Sequence, residues 1–249
     1  MKTLLVKLIG LLPFGLQAKL RRRHYRKVVR DFDPLSWEYH PVVRDVVRPG
    51  DTVVDVGANV GYIAATLGGI TGNNGKVIAV EPIPVTHETL VDVVRHLDLK
   101  SVQPVSFALS DREGSAPMAV PKYDGGGRNY YESSLDGDIG SAETETWTVL
   151  LTTLDALCGQ EEGRLSFIKI DVEGHERKVV AGGRKVIKQH RPWMLIEVNG
   201  DPAEEGSDAA GLFNDLIALG YEACVLDGEG RVVPWAPGVT RVDYLFRPS

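Results

Sequence analysis

Two stretches of the 249-residue sequence gather side chains that can do chemistry. The first is Asp55-Val-Gly57-Ala-Asn59-Val-Gly61, with Glu81-Pro82 following 20 residues after Gly61. Glycines between a strand and a helix let a ligand approach the backbone, and the first helical turn offers unpaired N–H groups. An acid ending the next strand can accept both hydroxyls of a ribose. A dinucleotide would want G-x-G-x-x-G, but Asn59 and Tyr62 stand at the second and third glycine positions, so that fingerprint fails. S-adenosylmethionine, which carries an ammonium and a carboxylate and no phosphate, fits better. Asp55 supplies the negative charge for the ammonium. The expected cofactor contacts are therefore Asp55, Gly57, Asn59, Gly61, Glu81 and Pro82.

The second stretch is Lys169-Ile-Asp171-Val-Glu173-Gly-His175-Glu176. Period-two alternation puts Lys169, Asp171 and Glu173 on one face if the strand persists that far. By residue type His175 is the general base, with Asp171 or Glu173 orienting or replacing it. Lys169 could hold Asp171 ionised or hydrogen-bond a sugar oxygen, and Asp171 also reaches the methionine end of the cofactor. Glu173 and Glu176 equally suit a helix N-terminus through the dipole alone. Asp171 with Glu197 and Asn199 could ligate Mg2+, the less favoured route, and no residue is assigned as a metal ligand.

These residues need a scaffold that brings strand ends together. Apolar runs predict strands at 52–57, 76–82, 102–109, 164–171 and 193–199. Helical spacing occupies 60–70, 85–97, 174–189 and 208–219. Alternating segments 221–227 and 241–247 read as a closing hairpin around a Gly-Glu-Gly turn. Strands alternating with helices argue for an α/β fold with a mostly parallel sheet covered on both faces. Ligands then bind at the carboxyl ends of the strands. Ala108, ending the third strand, is expected at the adenine edge through its backbone, and Glu38 in the preceding segment could reach the amino group. Segment 121–146 breaks the rhythm and reads as a long loop. Its Tyr130, Tyr131, Glu132, Ser133 and Ser134 suit a lid over a hydroxylated substrate.

Taken in order, DTVVDVGANVGY, VEP, FALSDREG, TTLD and FIKIDVEGHE resemble the FkbM-type S-adenosylmethionine-dependent methyltransferases over roughly residues 36–200. The resemblance implies the Rossmann-like class I methyltransferase fold, with seven strands in the order 3-2-1-4-5-7-6. It implies O-methyl transfer to a hydroxyl of a sugar, glycan, glycolipid or polyketide-like metabolite. Methyl transfer is an in-line displacement, so the protein must align the acceptor and remove its proton. Two other readings are an RNA methyltransferase using a basic arm and a cofactor-binding scaffold without catalysis. The absence of an N-P-P-Y-type motif weakens the first. Asp171, Glu173 and His175 at the reaction end argue against the second.

Composition supports a soluble globular chain, with 43% hydrophobic and 25% charged residues. Cys158 and Cys224 form no CxxC pair, which excludes a disulfide framework or cysteine zinc site as organising principle and makes the cytoplasm the expected compartment. The net charge of −6 conceals an asymmetry: residues 1–30 hold nine Lys/Arg and no acid. The expected division is a basic amphipathic helical segment, 1–34, before a methyltransferase domain, 35–249. The apolar run from Thr3 to Ala18 contains Lys7, lacks a cleavage site and precedes the basic cluster, unlike a signal peptide. It predicts a helix docked on the domain or lying at an anionic membrane surface, on the inner face; nucleic acid is the least supported partner.

Overall fold

The structure, a computed structural model, describes residues 13–121, 133–135 and 144–249. At its centre lies a sheet whose middle strands, β1 (Thr52–Val56) and β7 (Leu165–Ile170), are fully buried. They run parallel to each other and to β2 (Lys76–Val80), β3 (Val102–Val105) and β8 (Trp193–Glu197). The sheet order is β10-β9-β11-β8-β7-β1-β2-β3. Strands β9 (Tyr221–Leu226) and β11 (Asp243–Pro248) pair antiparallel, and β11 pairs antiparallel with β8.

The sheet thus has eight strands rather than seven. The extra one is β10 (Val232–Pro234), a three-residue edge strand paired with β9. The Gly-Glu-Gly turn joins β9 to this short strand instead of to β11, which corrects the expected hairpin. The third predicted strand also divides. Val102–Val105 stays in the main sheet, whereas β4 (Ala108–Leu109) joins a separate three-stranded sheet with β5 (Gly114–Pro121) and β6 (Thr144–Thr152), in the order β4-β6-β5. The ends of the supposed 121–146 loop are therefore strand. Pro117 and Pro121 are tolerated because β5 is an edge strand.

Alternation within each strand splits the core in two. Val54, Val56, Ile78, Val80, Ile168 and Ile170 face one apolar layer with Leu212, Phe213 and Leu216 of α8 (Asp208–Ala218). Val53, Val77, Ala79, Phe167 and Leu195 face the other, against Ala64 and Leu67 of α3 (Tyr62–Thr71) and Val43 of α2 (His40–Val46). The predicted 174–189 helix is interrupted at Gly182-Gly183, giving α6 (Glu176–Ala181) and α7 (Arg184–His190). A Cβ at Gly182 would enter the Ser110 carbonyl. Asp155 in α5 (Leu154–Cys158) caps α7 by accepting from the N–H groups of Lys185 and Val186.

The basic segment forms α1 (Phe14–Arg30), packed on α4 (Pro84–His96) through Val29 and Val93 with Tyr25. Arg26 grips the Asp92 carboxylate with two hydrogen bonds of 2.6 Å. No helix among the described residues is long and apolar enough to cross a membrane. Both cysteines are buried and unbridged.

Candidate active site

The carboxyl ends of β1, β2 and β7 border a cavity of about 300 Å³, a small-ligand size. The glycine loop builds one wall. After Val56 the chain passes through left-handed conformations at Gly57 (φ 81°), Asn59 (φ 50°) and Gly61 (φ 100°) before α3 begins. Gly57 and Ala58 donate to the Val80 carbonyl at 3.0 and 2.9 Å. Gly57 must lack a side chain, because a Cβ there would run into the Asp171 carbonyl. Gly61 lies outside the cavity lining among the described residues: it turns the chain into α3 and packs over Leu90.

Glu81 is buried and already holds the loop. Its carboxylate accepts from the Asn59 N–H at 3.1 Å and the Ile83 N–H at 2.9 Å. Burial, only partly offset by these two donors, pushes its pKa up to about 7. Asp55 is fully buried, and neither of its carboxylate oxygens has a hydrogen-bond partner. Burial, with Asp171 nearby, pushes it up to about 6 against the Lys169 charge. An orphaned buried carboxylate on a ligand cavity is costly unless a cationic or donor group completes it.

Register explains the neighbour of Asp55. In the β1–β7 pairing Asp55 lies opposite Lys169. The Lys169 Nζ donates to Asp171 Oδ2 at 2.7 Å. Burial alone would lower the Lys169 pKa, but Asp171, Asp55 and Asp243 together hold it above its ordinary value. Beyond Ile170 the strand stops, and Glu173 (φ 53°) and Gly174 (φ 93°) swing the chain toward α6. Asp171 and Glu173 still line the cavity, joined by Glu197 from the end of β8. The three carboxylates present oxygens within 4.8 Å of one another, a set able to hold a divalent cation. Glu173 replaces the expected Asn199, which is exposed. Burial, with Asp171, Glu173 and Asp243 nearby, pushes Glu197 up to about 7.

His175 goes elsewhere. The turn at 173–174 buries its ring, with Nε2 3.0 Å from Ser110 Oγ, and it does not line the cavity. The expectation of a histidine base is corrected on that geometry. Glu176 accepts from the N–H groups of Val172 and Gly174, closing the turn at 3.2 and 3.0 Å. Glu38 is exposed in the turn before α2 and does not reach the cavity; its charge acts instead on Asp243.

The remaining wall is apolar. Pro82 and Ala108 line it as expected, along with Ile83, Phe107, Met118 and Leu135. Sequence reasoning missed these last four, because single apolar residues carry no signal of facing a ligand rather than a core. Ser133 also lines the cavity, and Ser134 Oγ donates to the Glu173 carbonyl at 3.3 Å. Tyr130, Tyr131 and Glu132 lie outside the described residues.

A strand–glycine loop–helix facing an acid at the end of the next strand, with carboxylates across the cavity, defines a nucleoside-cofactor site on a doubly wound α/β sheet. Residues 55–223 match the family model described as the methyltransferase FkbM domain, and the chain belongs to that family of S-adenosylmethionine-dependent methyltransferases. A solved structure of a methyltransferase FkbM from Methylobacillus flagellatus is 17% identical, with a TM-score of 0.51 over 84% of this chain. This chain spans 50% of that protein's length. That likeness is one of fold. A structure described as a putative rRNA-methylase from Clostridium thermocellum is 10% identical, with a TM-score of 0.49, covering 88% of this chain and 97% of that one. Fibrillarin from Aeropyrum pernix with bound S-adenosylmethionine is 13% identical, with a TM-score of 0.46, covering 81% and 68%. No curated protein matches the sequence.

Proposed function

We propose that the chain moves a methyl group from S-adenosylmethionine to a hydroxyl of a sugar, glycan, glycolipid or polyketide-like acceptor. The observation that carries this reading is one cavity with two differently equipped ends. Asp55, orphaned and buried, and Glu81, fixed by two backbone donors, stand at the glycine loop. Asp171, Glu173 and Glu197 stand together beyond the ends of β7 and β8.

The residues fit the cofactor. Glu81 would accept from the ribose hydroxyls, Asp55 would meet the ammonium, and Ile83, Ala108 and Met118 would cover the base. When bound, S-adenosylmethionine supplies the electrophilic methyl group. The chain's own task is to hold the acceptor oxygen in line and take its proton. Glu197, with its pKa raised to about 7, is suited to receive that proton near neutrality. Glu173 shares this role, and Lys169, tied to Asp171, can orient an acceptor oxygen. A metal route would use the same three carboxylates.

Titration calorimetry with S-adenosylmethionine, followed by S-adenosylhomocysteine release across a panel of hydroxylated acceptors, tests the reading. Binding of NAD in place of S-adenosylmethionine would overturn it. Turnover on RNA that is lost on ribonuclease treatment would move the acceptor to nucleic acid.

A further inference from the structure

The basic helix α1 divides its charges between two faces. Arg22 and Arg26 turn inward and pair with Glu88 and Asp92 of α4. Lys19, Arg23, His24 and Lys27 are exposed, and Leu16 and Leu20 are exposed among them at 43% and 39%. At 100° per residue these six fall on one arc, opposite Tyr25 and Val29, which pack on the domain. Docking on the domain and contact with a surface are therefore compatible: one face does each.

We propose that this outward face of α1 docks the protein on an anionic lipid bilayer. Three features favour lipid. The arc sets two exposed leucines among cations and contains no acid, so apolar insertion and attraction to anionic headgroups are available on one surface. The sequence just ahead of it supplies Leu4, Leu5, Leu8, Ile9, Leu11 and Leu12. The rest of the chain is acidic, since residues 1–30 carry nine of the 28 basic groups and none of the 34 acids, so attraction to an anionic surface is confined to this end. A nucleic acid backbone would make no use of the exposed leucines.

The docking also has a direction. Arg22 pairs with Glu88 and Arg26 with Asp92, each 66 residues on, so α1 and α4 run parallel. Helix α4 begins at Pro84, just past Pro82 of the cavity wall. The Leu16 end of α1 therefore points toward the carboxyl ends of the strands. A bilayer against the outward face runs along the flank of the domain that carries α1, with the Leu16 end nearest the strand ends that border the cavity.

Vesicle flotation of the full chain tests the proposal, comparing phosphatidylcholine alone with phosphatidylcholine mixed with phosphatidylglycerol. At about 0.1 M salt, where the screening length is about 10 Å, the protein should float only with the anionic vesicles. A Lys19→Glu, Arg23→Glu, Lys27→Glu variant should lose at least roughly a hundredfold in partition, since each cation contributes about fivefold (~1 kcal/mol). A Leu16→Glu, Leu20→Glu variant should also lose flotation. Both should melt and bind S-adenosylmethionine as the wild type does, because the substituted side chains are exposed and lie outside the cavity. Absence of wild-type flotation, or equal flotation of wild type and variants, would overturn the proposal. So would tight binding to duplex RNA without vesicle binding.

Discussion

Asp55→Asn is expected to make the ligand-free protein more stable while weakening its grip on the cofactor. Burial raises the Asp55 carboxyl from 3.8 to about 6, roughly two pKa units, and at about 1.4 kcal/mol per unit the ionised form costs the fold about 3 kcal/mol at pH 8. The sign follows from linkage: the folded state holds the proton more tightly than the unfolded one, so the cost is full above about pH 6 and fades as pH falls toward 4. Asparagine removes the charge but leaves an amide short of partners, at ~1–3 kcal/mol. A net gain of up to about 2 kcal/mol remains, or up to roughly 8 °C in Tm for a chain of this length. Lys169 keeps Asp171 at 2.7 Å, so no lysine is stranded. Thermal melts at pH 8 and pH 4.5, with and without S-adenosylmethionine, read all of this. The variant's advantage should shrink at the lower pH. Saturating cofactor should raise the wild-type Tm more than the variant's, because a charge-assisted contact worth ~1.5–3 kcal/mol is missing. A variant less stable than wild type at pH 8, or an advantage unchanged by pH, would refute the orphaned-carboxylate argument.

Gly57→Ala should abolish calorimetric cofactor binding and destabilise the fold by at least ~2 kcal/mol in urea titration, since the new methyl meets the Asp171 carbonyl at positive φ. His175→Ala should cost at least about 1 kcal/mol of stability, by removing the hydrogen bond to Ser110, whose hydroxyl keeps Asp111, while turnover of the folded fraction changes less than about tenfold. Glu197→Gln should lower kcat by roughly a hundredfold and leave cofactor affinity near wild type. In the wild type kcat should fall as pH drops through about 7, where Glu197 takes up its proton, and this limb should vanish in the variant. If the carboxylates act through a divalent ion, EDTA should remove turnover and Mg2+ restore it.

The glycine-loop half of the cavity is legible in the sequence because its determinants are local. Gly57, Asn59 and Glu81 lie within one strand–loop–helix–strand unit, and burial of β-branched runs such as Thr52–Val56 announces the strands. The carboxylate half depends on distant partners. Alternation placed Lys169, Asp171 and Glu173 near one another, but could not show that two positive-φ residues follow and carry His175 away to Ser110, 65 residues upstream. The pairing of Asp55 with Lys169 is a matter of strand register, which spacing along the chain does not contain. The second sheet did leave a trace. Trp147, Val149 and Leu151 alternate with exposed residues, but Gly114, Pro117 and Pro121 in its partner read as chain breakers.

That second sheet closes on its own ends. Ala108 and Leu109 pair with Leu151 and Thr152, and the Ser110 N–H donates to the Thr152 carbonyl, so the chain leaves and returns through one knot of hydrogen bonds. Among the described residues no strand between these ends pairs with the main sheet, though Met118, Ser133 and Leu135 reach the cavity. Lengthening such a detour is cheap, at about 0.6 kcal/mol for each doubling. The length of chain between Leu109 and Leu151 can therefore vary without shifting the register of the main sheet. The glycine loop and the strand ends stay fixed while the segment that borders their cavity changes.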